Sequence, residues 1–259
     1  TGSSQYFNDY RVYNGVATQS LRLNDNDSAN VTRSPSSAGD RQTWVWSGWV
    51  KRANVNVQGV LFLAYNNANN NENYFRLTFT NDAELKVNQD DSNLRVTTQL
   101  FRDASAWYHI VCAVDTHQAT ANNRTLVYVN GEQITDFSAT GNYAQDAITG
   151  VNHTGSHRVG GSAGEHFDGY MAEVNFIDGL SFFSDTSGTA NTSFNIDSFG
   201  ETKNGVWIAK KYTGSYGTNG FRLQFNQTGT GTASSSTIGA DTSGNANHWT
   251  SSGIVASDC

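Results

Sequence analysis

Alternation with a period of two dominates the chain. Across residues 43–52, Trp44, Trp46, Gly48 and Val50 point one way while Val45, Ser47 and Trp49 point the other. Successive side chains of a strand face opposite sides of a sheet, so this run predicts a strand, and aromatics on both sides predict a central strand covered on both faces. Similar runs predict strands over residues 20–23, 59–65, 74–80, 84–89, 94–100, 107–115, 126–129, 132–137, 157–159, 169–177 and 221–225. Between two of these lies Asn130-Gly131, a two-residue hairpin turn in which both residues take positive φ. No window carries an apolar stripe with a 3.6-residue period, so little helix is expected.

The segments between the strands are polar. Residues 66–73 (NNANNNEN) connect two good strands, and residues 184–195 and 228–242 are rich in Gly, Ser and Thr. The latter two read as surface loops too polar to bury. Tyr212 to Phe225 alternates glycines with aromatics, a tight turn delivering strand 221–225 against an early strand so that the ends of the domain close on each other. No fixed-period repeat appears, which argues against solenoids and propellers. The organisation is therefore an arm over residues 1–19, a single domain over 20–250 and a tail over 251–259.

Composition sharpens this picture. The 259 residues are 37% hydrophobic and only 15% charged, with 25 glycines and one proline, as suits a strand-rich fold that turns through glycine. A net charge of −7, with no basic cluster beyond Lys51-Arg52 and Lys210-Lys211, argues against a nucleic-acid partner. No run approaches the roughly 20 apolar residues of a bilayer-spanning helix, so membrane insertion is not expected. Cys112 lies in the apolar run 109–114 and reads as a buried free thiol; nothing in the sequence supports its pairing with Cys259.

Three motifs in one order carry a family resemblance: WYHIVCAVD at 107–115, LVYVNG at 126–131 and FDGYMAEVNFIDG at 167–179. Together they resemble the laminin G-like, concanavalin A-like lectin/glucanase superfamily. The resemblance implies an all-β fold, an antiparallel two-sheet β-sandwich of the jelly-roll kind. The second half, with NGVWIAKKYTGSYGTNGFRLQF at 204–225 and ADTSGNANHWT at 240–250, is similar to a subgroup found in marine bacteriophage virion proteins. It covers about residues 20–250 and implies a non-enzymatic module on the virion surface, in a fibre, tail or head decoration. Such a module is expected in many copies or as a homo-oligomer, beside other virion proteins, binding host-surface glycans. Related chains continue past the segment matching 240–250. The rival from another class is a purely structural assembly protein without sugar binding, and a glycan-degrading enzyme ranks third.

Retaining glucanases on this fold carry Glu-x-Asp-x-x-Glu on one strand, which sets a nucleophile and an acid side by side. The nearest match is Glu173, Asn175 and Asp178, in which the middle acid is an amide and the last is shortened. No nucleophile elbow, phosphate loop, HExxH or CxxC occurs, so an enzyme is not expected. His153 and His157 are four apart, but NHTGSHRVG reads as a loop entering a strand rather than a zinc-binding helix. Calcium is the candidate cofactor, with Asp241 and Asn245 of DTSGNAN as its ligands, because hard cations gather oxygens from such turns. For carbohydrate, which needs ring faces and planar amides, the candidates are Tyr65, Asn67, Tyr74, Tyr143 and His153.

Overall fold

The computed structural model describes residues 14–65, 74–162, 164–181 and 195–259. In chain order its strands are β1 (Leu21–Leu23), β2 (Asn30–Arg33), β3 (Thr43–Arg52), β4 (Gly59–Tyr65), β5 (Tyr74–Phe79), β6 (Glu84–Gln89), β7 (Ser92–Leu100) and β8 (Tyr108–Asp115). There follow β9 (Thr125–Val129), β10 (Glu132–Gln133), β11 (Phe137–Thr140), β12 (His157–Val159), β13 (Gly161–Ser162), β14 (Glu165–His166) and β15 (Gly169–Asp178). The last are β16 (Gly200–Lys203), β17 (Val206–Ala209), β18 (Phe221–Leu223) and β19 (Thr250–Ser252). Helix is confined to short 3-10 turns among the described residues.

Two antiparallel sheets form the sandwich. The first runs β1-β15-β3-β8-β9-β10, with β18 also paired to β15. The second runs β11-β7-β6-β5-β4-β12-β2-β19. Between them Trp44, Trp46, Phe62, Phe75 and Phe176 are fully buried or nearly so. Trp44 meets Phe75 edge to face at 4.9 Å between centroids, whereas Trp46 stacks on Phe62 and Trp44 on Phe176, and both arrangements suit the ring quadrupoles. Strand β3 lies between β15 and β8, as its two-sided pattern predicts. Its outer side, at Val45, packs with Val111, Ile177, Phe199, Tyr212 and Tyr216 in a second apolar layer.

Several expectations are corrected. The run 132–137 does not form one strand: β10 stays on the first sheet, whereas β11 begins at Phe137 and joins β7 on the second. Strand β18 pairs with β15, not with an early strand. The ends of the described chain are tied in by β1 on β15 and β19 on β2. The segment 228–242 is not wholly a surface excursion, because Ile238, Ala240 and Asp241 are buried. Residues 184–194 and 66–73 lie outside the described residues. Both cysteines are free; Cys112 is fully buried, and desolvation pushes its thiol up to about 12.

Strand β15 changes partner midway. Its register against β3 shifts between Ala172 and Asn175, where Glu173 adopts a φ of 48°. Such a bulge bends a strand and increases its twist. On its other edge the first half of β15 pairs with β1 and the second half with β18.

Candidate functional site: a tryptophan-lined groove

On the outer face of the first sheet, Trp49 of β3 stands in register between Ala172 of β15 and His109 of β8. The imidazole of His109 stacks on Trp49 at 5.0 Å and on Trp207 of β17 at 6.1 Å, with interplanar angles of 24° and 28°. Trp207 Nε1 donates to His109 Nδ1 at 3.0 Å, which leaves the imidazole proton on Nε2, 2.8 Å from Ser47 Oγ. Full burial lowers the His109 pKa to about 3, so the ring is neutral and its tautomer fixed.

Trp207 is also fixed by close backbone contact. A Cβ at Gly131 would fall 2.7 Å from its ring, and one at Gly200 only 2.2 Å away. Gly131 further has a φ of 85°, and Asn130 before it 50°, as the Asn-Gly turn requires. The hairpin turn thus serves the indole as well as the chain reversal.

Beside these rings runs a groove of about 390 Å³, with Trp49, Trp107, Trp207, Ala172 and Ile208 among its walls. Trp107 is 37% exposed. Neutral polar groups on Asn14, Gln19 and Ser20 complete the rim, and Asn14 is anchored by its Nδ2 donating to the Ala209 carbonyl at 2.6 Å. Preset indole faces with a few neutral hydrogen-bonding groups suit a pyranose ring, whose C–H face packs on an aromatic plane while its hydroxyls reach the rim.

Of the residues singled out from sequence, those described lie elsewhere and do not form one site. Tyr65 and Tyr74 face each other across β4 and β5, with ring centroids 6.4 Å apart. They lie on the outer face of the second sheet, where Arg158 sits over Tyr65 at 5.8 Å and Arg76 over Tyr74 at 5.3 Å. Tyr65 is only 9% exposed, and the hydroxyl of Tyr74 donates to Asp91 at 3.2 Å. Asn67 lies outside the described residues. Tyr143 is a correction: it is buried in the core, donating to Gln89 Oε1 at 3.1 Å, and offers no ring face to a ligand. His153 is half-buried in a loop, its Nδ1 accepting from the Gly155 N–H at 3.1 Å.

The candidate ion and acid sites have other occupations. Asp241 Oδ1 accepts from the N–H groups of Arg222 and Ser243 at 2.9 and 2.8 Å. Its Oδ2 accepts from the Ser243 hydroxyl and the Asn247 N–H, both at 2.8 Å. Asn245 turns its Nδ2 toward the carbonyls of Gly217 and Gly220 at 2.7 and 3.0 Å. Four hydrogen atoms directed at one carboxylate repel a cation, so these residues do not fit calcium. Among the described residues no group of three or more His, Cys, Asp or Glu could hold a metal. His157 has both ring nitrogens engaged, Nε2 by the Asn152 N–H at 2.9 Å and Nδ1 by the Gly155 carbonyl at 3.0 Å. Glu173 is buried in a two-pronged ion pair with Arg222, at 2.9 and 3.0 Å. Asp178 receives the backbone N–H groups of Asp40 and Asn219, each at 2.8 Å, and so pins two loops to the end of β15. Neither acid is poised for proton transfer to a bound sugar.

Fold and groove define an antiparallel β-sandwich with an aromatic groove on one outer face. The chain belongs to the laminin G-type family of the Concanavalin A-like lectin/glucanases superfamily, which it matches over residues 24–182. Comparison with curated proteins finds none that matches the sequence. Among solved structures it is similar to a Bacteroides ovatus protein provisionally described as carbohydrate-binding, with a TM-score of 0.51 and 14% identity over 90% of this chain. The chain spans 57% of that protein. It is also similar to the heptameric SAP-like pentraxin of Limulus polyphemus, with a TM-score of 0.46 and 13% identity over 74% of this chain and 91% of that one. For domains LG4-5 of the mouse laminin alpha1 chain the TM-score is 0.46, with 10% identity over 70% of this chain and 47% of that one. At these identities the likeness concerns the fold.

Proposed function

We propose that this domain is a non-enzymatic glycan-binding module that takes sugar rings in the groove of Trp49, Trp107 and Trp207. The observation that carries the reading is the fixed Trp207, held by His109 and by the close approach of Gly131 and Gly200 before any ligand arrives. A face held in place loses little entropy on binding, which is where weak ligands such as sugars lose most affinity. The order of motifs shared with marine bacteriophage virion proteins supports a place on the virion surface. There the glycan would be that of the host envelope, and many copies would multiply weak contacts into firm attachment.

The test is a glycan array and whole-cell binding assay on the domain clustered on beads, with and without a chelator. Saturable binding that survives chelation and is lost in Trp49→Ala is expected. A second reading, assembly with other virion proteins, draws on the exposure of Trp107 and Tyr170 on this face. Failure of the clustered domain to bind any glycan or cell would favour it and overturn the first.

A further inference from the structure

One step along the strands from the groove, a second row of side chains crosses the same outer face. Arg22 of β1 pairs with Tyr170 of β15, and Tyr170 pairs with Lys51 of β3. Trp107 precedes Tyr108, the partner of Val50, and so stands next to Lys51 on the far side. The row therefore reads Arg22, Tyr170, Lys51, Trp107, parallel to the groove row of Ala172, Trp49 and His109. Two residues, about 7 Å, separate the rows. Tyr170 and Trp107 are 36% and 37% exposed, and Trp107 also belongs to the groove, so the two rows are continuous.

The charges of this row are not equivalent. Arg22 is tied to Asp168 at 2.7 Å and lies over the Tyr170 ring at 5.4 Å. Lys51, between the two exposed rings, has neither hydrogen bond nor ion pair among the described residues. The acid nearest along the turn, Asp103, accepts from Ser105, whose N–H and hydroxyl reach its Oδ1 at 2.8 and 2.6 Å, and these bonds, with the charge of Lys51 at longer range, hold its carboxyl below the usual carboxylate range. In a chain with a net charge of −7, an ammonium that has no direct partner and stands in register between Tyr170 and Trp107 offers an anion a charged contact beside the groove.

We propose that the groove continues into a subsite for an anionic sugar: an uncharged ring stacks on the tryptophans, and the carboxylate or sulfate ester of a neighbouring ring meets Lys51 above Tyr170. The ligand class is then an acidic polysaccharide, and the proposal rests on the groove being a glycan site. Titration calorimetry at low and high salt with three probes tests it: oligogalacturonate, its methyl ester (the same chain without charge) and sulfated dextran fragments. The expected result is a preference of about three- to fivefold for at least one acidic chain over the ester. That preference is lost in Lys51→Gln and at high salt and retained in Lys51→Arg, while ester binding is unchanged in both variants. Which acidic chain shows the pattern assigns the carboxylate or the sulfate. Equal affinity for all three, or a preference that survives in Lys51→Gln, overturns the subsite and leaves the groove standing. Failure of every probe to bind, or binding that Trp49→Ala leaves intact, overturns the groove itself.

Discussion

Trp207 is positioned by three neighbours that no sequence pattern connects to it: Gly131 in one hairpin turn, Gly200 on the adjacent strand and His109 on β8. Gly200→Ala puts a methyl carbon only 2.2 Å from the indole, so the ring must tilt or the β16–β17 hairpin must lift. Overpacking of this kind costs roughly 1–3 kcal/mol. Urea unfolding is expected to show that loss and glycan titration a larger fractional loss of binding; unchanged binding would mean that the position of the ring does not matter. His109 couples the same site to pH. Its native pKa of about 3, and about 4 for His157, lie below the unfolded value near 6.5, so the folded chain binds fewer protons. Their contribution is complete above about pH 6.5 and is lost progressively as pH falls toward 4 and 3, on the order of several kcal/mol for the two. Protonation also removes the lone pair that accepts from Trp207. Urea midpoints should therefore fall between pH 7 and 4.5, less steeply in a His157→Gln variant; a flat profile would contradict the burial of neutral imidazoles.

The elements that sequence revealed best are those buried on two faces. Strands β3, β4 and β8 have runs dense enough in Trp, Val, Phe and Leu that only a covered strand accommodates them. Strands β2, β16 and β19 escaped notice because NVTR, GETK and TSS hold almost no apolar residue; tertiary pairing forms them rather than propensity. The break at residues 134–136 is equally silent, since a chain leaving one sheet for the other needs no special residue there. The partner switch within β15 falls at Glu173, whose φ is positive and whose side chain makes two bonds to Arg222. Glu173→Gln leaves the Arg222 guanidinium buried with half its partner gone, and an unpaired buried charge costs about 3–5 kcal/mol. Amide exchange should accelerate at β1 and β18 together, because one bulge holds both. Exchange that rises at neither would show that the pairing stands without the ion pair.

At the scale of the molecule, the sandwich could be read from alternation and motif order, whereas the tryptophan-lined groove could not. Trp49, Trp107 and Trp207 are separated by 57 and 99 further positions in the chain and meet only because β3 and β8 are neighbours and β17 folds over them. The tyrosines and the histidine that the sequence suggested are scattered over the core, the second sheet and a loop. The alternation does put Trp49 on the side of β3 opposite Trp44 and Trp46, but an aromatic there reads equally as a residue under a second covering layer, which Val45 of the same face is. The acids resembling a catalytic set proved to hold loops and a bulge, which is why motif spacing alone misleads about chemistry. The central claim is that the fixed Trp207 face binds sugar. It is tested most directly by calorimetric titration of a glycan identified on the array into the native domain and into Trp207→Ala, with circular dichroism verifying the fold of both. Saturable binding to the native domain is expected, with at least a tenfold loss in the variant, about 1.4 kcal/mol. Equal affinities in two folded proteins would contradict it.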